Sequence, residues 1–111
     1  MNDREISLNI ARTIIEQLGG NRFKVMTGAN NFTVSKSAIS FHFKGSRKVN
    51  ACRIELNEND LYDLTFTKLG GKALYKEISS VYDIYNDQLE EIFTKHTGLY
   101  TRLWKNKLTL F

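Results

Sequence analysis

Few side chains in this chain are suited to catalysis. Its two histidines, His42 and His96, and its single cysteine, Cys52, stand far apart, and no Cys/His spacing matches a zinc site. His42 alternates with Phe41 and Phe43 and so belongs to the polar face of a strand. His96 falls in the last turn of a helical pattern, where the dipole favours a cation, and reads as a capping or solvated group rather than a general base. Cys52 shares the apolar rhythm of Ile54 and Leu56, which marks a buried thiol rather than a nucleophile. Asp60 and Asp63 lie on either side of Tyr62, and Asp83, Asp87, Glu90 and Glu91 line one helical face. Both sets read as solvated acids, because a hydrolytic metal site needs carboxylates converging from separate elements on a dry cavity. Gly19-Gly20 and Gly70-Gly71 lack the lysine and hydroxyl of a phosphate loop. The expectation is a non-enzymatic protein with no catalytic residue, no metal and no cofactor. A small enzyme using Asp60, Asp63 and Asp87 is the outlying alternative.

Binding has better material. Lys44, Arg47 and Lys48 cluster in one hairpin connection, Arg53 follows on the polar face of the next strand, and Arg102, Lys105 and Lys107 gather around Tyr100 and Trp104. Cations beside aromatic rings can neutralise a phosphate backbone and stack on bases. The aromatic alternation Phe41-His42-Phe43 has the look of a base-stacking sheet, but both rings share a face with Ile39 and are better assigned to the core. Leu103, Leu108, Leu110 and Phe111 offer apolar anchors for a protein partner, or for self-association through the same segment. Thr27, Asn30 and Asn31 form an uncharged set of donors and acceptors suited to a small ligand or a partner's backbone. Such side chains also commonly bond their own turn.

These groups must be positioned by a small set of elements. Asn2 or Asp3 can cap a helix reaching about Leu18, with Ile6, Ile10, Ile14 and Leu18 near one face, and Gly19-Gly20 stops it. Phe23 and Val25 suggest a short strand in residues 21–26, followed by a sharp bend at 26–32 and renewed alternation at Phe32 and Val34. Four strands are expected between Ser37 and Ser79: Ile39, Phe41 and Phe43; then Cys52, Ile54 and Leu56; then Tyr62, Leu64 and Phe66; then a weaker run with Leu74 and Ile78. Ser79 or Ser80 is expected to cap a last helix carrying Val81, Ile84, Tyr85, Gln88, Leu89, Ile92, Phe93 and His96, ended by Gly98. Residues 102–111 could form a hairpin or add a strand to a sheet edge. The fold class is α+β, an antiparallel β-meander of about four to six strands packed against an N-terminal and a C-terminal helix.

Size and composition support one domain over residues 1–101 with a basic and aromatic tail at 102–111. The chain has 111 residues, enough for one continuous core, and its 41% hydrophobic and 25% charged content argues against disorder. No apolar run approaches the roughly 20 residues of a membrane-spanning helix, and the first residues do not read as a secretory signal. A lone cysteine excludes an internal disulfide and fits a reducing cytoplasm. The net charge of +4 permits a polyanionic partner and equally suits simple solubility. With no proline, every turn relies on Gly, Asn, Asp or Ser.

Three blocks, MTGANNF at residues 26–32, LNENDLYDLTF at 56–66 and DQLEEIFTKHTGLYT at 87–101, occur together in this order. In them the chain resembles a widespread family of small uncharacterised proteins of bacteriophages, prophages and mobile elements. The resemblance implies a bacterial host cytoplasm and no particular activity. The leading reading is a binding protein of a phage or mobile element that contacts nucleic acid or a nucleoprotein. The alternative is a counter-defence or accessory protein that binds a host or viral protein, with a self-associating structural protein as a further one. No membrane partner is expected.

Overall fold

A computed structural model describes residues 2–70 and 75–101. It contains α1 (Asp3–Leu18), α2 (Asn21–Thr27), β1 (Asn30–Ser35), β2 (Ala38–His42), β3 (Ala51–Leu56), β4 (Tyr62–Leu69), β5 (Tyr75–Ile84), a 3-10 turn (Asn86–Gln88) and α3 (Leu89–Thr97). The five strands pair in chain order, every neighbour antiparallel, so the protein is an α+β meander with helices at both ends. The tail segment 102–111, with its expected hairpin or strand, and Leu74 of the weaker run lie outside the described residues.

Alternation decides which face the helices cover. Phe41 lies opposite Cys52 and Cys52 opposite Phe66, while Ile39 lies opposite Ile54 and Ile54 opposite Leu64, so these rows share one side of the sheet. All are buried together with Ile14 and Leu18 of α1, Phe23 of α2, and Leu89 and Phe93 of α3. Phe93 sits among the rings of Phe23, Phe41, Phe43 and Phe66 at centroid distances of 5.6, 6.1, 5.3 and 6.2 Å. The other side alternates Thr33, Ser40, Arg53, Thr65 and Ser80, then His42, Ala51, Thr67 and Glu77, and no described helix lies over it.

Two expectations about elements are corrected. Residues 21–27 form a helix, not a strand: Phe23 and Thr27 are buried one turn apart, whereas Val25 is 82% exposed. The Thr27 hydroxyl donates to the Phe23 carbonyl at 2.7 Å, and Gly28, at φ 68°, closes the turn in the left-handed region that glycine enters without a Cβ clash. Two apolar residues at a spacing of two were too short a pattern to distinguish a strand from about two turns of helix.

The last helix begins later than its apolar spacing suggests. Val81 and Ile84 belong to β5, opposite Leu64 and Tyr62, and both are packed against the core. A bulge places Tyr82 and Asp83 against Asp63 alone, with Asp83 at φ 58°, and this extra residue moves Ile84 back to the covered face. A bulged strand therefore mimics a helical spacing of three. Tyr85, not Ser79 or Ser80, stands at the entry to the helical segment, where its backbone N–H donates to the Gln88 side chain at 3.2 Å.

Phe93 joins α3 to α2 and to the sheet, so Phe93→Ala is expected to cost about 3–5 kcal/mol in urea denaturation. Val25→Ala should stay within about 0.5 kcal/mol, since its side chain faces water. A large loss at Val25 would contradict the helical assignment of residues 21–27.

Candidate functional site

A meander turns at alternate ends of the sheet, and in this chain the two ends differ in charge. The β2–β3 connection, residues 43–50, carries Lys44, Arg47 and Lys48 and no carboxylate; at the opposite end the β3–β4 connection, residues 57–61, carries Glu58 and Asp60 and no cation. Lys68 and Lys76 face each other across β4 and β5 at the basic end. Placing like charges directly opposite is unfavourable, so this pair adds positive potential at a cost in stability. Neither lysine stands out in the sequence, because only the β4–β5 register brings them together. Lys36, in the tight β1–β2 turn, is a cation at the acidic end, and Arg4 of α1 lines the same surface depression.

The basic connection is held in place although its cations are exposed. Phe43 and Val49 are buried at 2% and 1%, and the Phe43 N–H donates to the Asn50 carbonyl at 3.0 Å. The Asn50 side chain donates to the Leu69 carbonyl at 3.0 Å and accepts from the Leu69 N–H at 2.8 Å, tying this connection to the end of β4. The Lys44 N–H donates to the Thr27 carbonyl at 2.9 Å. Charged side chains on a pinned backbone lose less freedom when they meet a ligand.

Arg53 is separate from that trio. It projects from mid-sheet on the helix-free face, with Nη1 3.3 Å from Glu55 Oε1, and both side chains are nearly half exposed, so the pair is a weak one. Beside it lies a depression of about 210 Å3 floored by Ala51 and Thr67 and edged by His42, Arg53, Leu69 and Tyr75. Tyr75 and Tyr82, at 61% and 66% exposure, are the large rings standing out on β5. Neither tyrosine is marked by residue pattern, since the fourth run alternates only weakly and Tyr82 falls inside the segment expected to be helical.

Thr27, Asn30 and Asn31, the uncharged set proposed for a ligand or a partner's backbone, each have a polar contact within the protein. Thr27 is 2% exposed with its hydroxyl bonded within α2, the Asn30 side chain donates to the Gly28 carbonyl at 2.8 Å, and the Asn31 amide lies 3.4 Å from His42 Nδ1. Part of the polar capacity of this segment is thus engaged internally. Arg102, Leu103, Trp104, Lys105, Lys107, Leu108, Leu110 and Phe111 lie outside the described residues.

The groups first considered for catalysis have structural settings. Cys52 is fully buried, and burial pushes its thiol far above the usual range, which removes the thiolate needed for attack. Asn57 donates to Asp63 at 3.0 Å and to Asp83 at 2.8 Å while accepting from the backbone of Asn59 and Leu61, so these carboxylates brace the acidic end. Among the described residues, no three His, Cys, Asp or Glu side chains gather in a group able to hold a metal ion.

His96 is neither a cap nor a freely solvated group. Its ring stacks on Phe66 at 4.9 Å with a 6° tilt, and Nδ1 lies 3.1 Å from the Ser79 hydroxyl. Burial first, and Lys95 second, hold its pKa below the ordinary 6.5. The folded state therefore binds this proton less readily than the unfolded chain, and the stabilisation present above pH 6.5 is lost as pH falls towards the lowered value. The melting temperature of the natural protein should drop more steeply than that of His96→Phe between about pH 8 and pH 5. Parallel pH profiles would remove His96 as the cause.

No family model, no curated protein and no solved structure matches this chain.

Proposed function

We propose that this chain is a non-enzymatic binding protein of a phage or mobile element that contacts nucleic acid through its basic end. The observation that carries the reading is the segregation of charge along the sheet. Lys44, Arg47 and Lys48 are exposed on a pinned connection, with Lys68 and Lys76 at the same end, and the acidic connection is at the other. Such a patch suits a phosphate backbone, which it neutralises while releasing condensed counterions. The likeness of the three sequence blocks to phage and mobile-element proteins supplies the biological setting.

A second reading, a counter-defence or accessory protein that binds a host or viral protein, draws on β5. This is the last strand of the described sheet, ten residues long, with Tyr75, Ile78 and Tyr82 exposed along it. Its outer edge, unpaired among the described residues, could accept a partner strand, although its two bulges and its charged residues Lys76 and Glu77 blunt that edge. A partner recovered from host lysate that survives nuclease treatment and high salt would favour this reading over the first.

Binding of a single-stranded oligonucleotide should weaken linearly in log affinity against log salt. Replacing Lys44, Arg47 and Lys48 together by alanine should flatten that slope by about 2. No binding at low salt, or an unchanged slope in the triple variant, would reject the basic end as a phosphate contact.

A further inference from the structure

The helix-free face of the sheet has a feature that phosphate contact leaves unused. At its basic end the row His42, Ala51 and Thr67 passes directly into the β2–β3 connection, since His42 ends β2 and Ala51 starts β3. The small side chains Ala51 and Thr67 leave the depression of about 210 Å3, and Tyr75 forms one wall from the end of β5, opposite Leu69. Arg53 lies at the side towards mid-sheet and His42 at the side towards β1. A trough of this size is smaller than the roughly 300–1,000 Å3 of a site for a drug-sized molecule and suits a single planar ring. Tyr75, His42 and Arg53 line it together with Leu69, and a phenol ring, an imidazole and a guanidinium are the kinds of group on which unpaired bases stack.

We propose that this depression receives one unpaired base of a single-stranded nucleic acid, held against Tyr75 and flanked by His42 and Arg53, while the adjoining phosphates reach Lys44, Arg47 and Lys48. The inference rests on the nucleic-acid reading above and narrows it to single strands. Charge sets the path of the strand. Glu77 stands opposite Thr67 on the same face, and Glu55 is engaged by Arg53, so the backbone approaches from the β2–β3 side, where the cations are, rather than across β5. A duplex keeps its bases stacked within the helix and can use only the cations, so strand state discriminates between the two modes. The Phe41 and Phe43 rings take no part, because both are buried in the core, Phe41 from the strand that presents His42 outwards and Phe43 from the start of the β2–β3 connection.

The test is fluorescence anisotropy with the full chain at low salt. The probes are a labelled deoxyoligonucleotide of about 12 nucleotides, the ribo-oligonucleotide of the same sequence, and the deoxy strand annealed to its complement. Either single strand should bind at least about fivefold more tightly than the duplex, and the tighter of the two identifies the sugar. Tyr75→Ala, with an unchanged melting temperature, should weaken single-strand binding at least about fivefold and leave duplex binding unaltered, and Tyr75→Phe should restore it. Equal binding of single and double strands, with Tyr75→Ala indistinguishable from the natural protein, would overturn the stacking site and leave the phosphate contact standing. Failure of all three probes to bind would overturn both.

Discussion

The cluster of phenylalanine rings around Phe93 is the interaction on which the architecture depends. One side chain from α3 touches rings from α2, β2, the start of the β2–β3 connection and β4, so a single apolar contact joins elements that are distant in sequence. Phe23 meets Phe41 and Phe93 edge-on, at 85° and 82°, in the arrangement that aromatic quadrupoles favour. Non-directional burial brings the helices onto the sheet, and ring geometry selects how they sit. On the covered side His96 extends that cluster by stacking on Phe66, with its ring nitrogen held at the Ser79 hydroxyl.

Covering one face completely leaves the other bare. On that second face Arg53, His42 and Tyr75 edge the depression over Ala51 and Thr67, which are below a tenth exposed. The same economy governs the ends of the sheet. Asn57 absorbs the mutual repulsion of Asp63 and Asp83, whereas Lys68 and Lys76 face each other without such a bridge among the hydrogen bonds described. An acidic end braced by an amide and a basic end left open differ in what they offer a partner, and only the open one invites an anion.

The bulges of β5 show why part of the chain resists reading from residue patterns. Each inserts a residue that resets the alternation, and the second makes Val81 and Ile84 neighbours on the core side. A helix drawn through that spacing is a natural inference from periodicity and a wrong one. Its true start at Leu89 follows from strand pairing with β4, a contact made by residues more than a dozen positions away.

What the sequence determined by itself is the sheet's rhythm and the first helix. Ile39, Phe41, Cys52, Ile54, Leu64 and Phe66 alternate strictly enough that only one face can be buried, and Asn2 does cap α1, accepting from the Glu5 N–H at 2.8 Å. It also showed Lys44, Arg47 and Lys48 as a cluster, because they are neighbours along the chain. Tertiary structure alone decided the helical state of residues 21–27, the late start of α3, the burial of Thr27, the pairing of Lys68 with Lys76, and the gathering of His42, Arg53 and Tyr75 around one depression. Local preference covers a few residues at a time. Register and bulges are set by the summed packing of distant strands, which a single stretch of sequence does not contain.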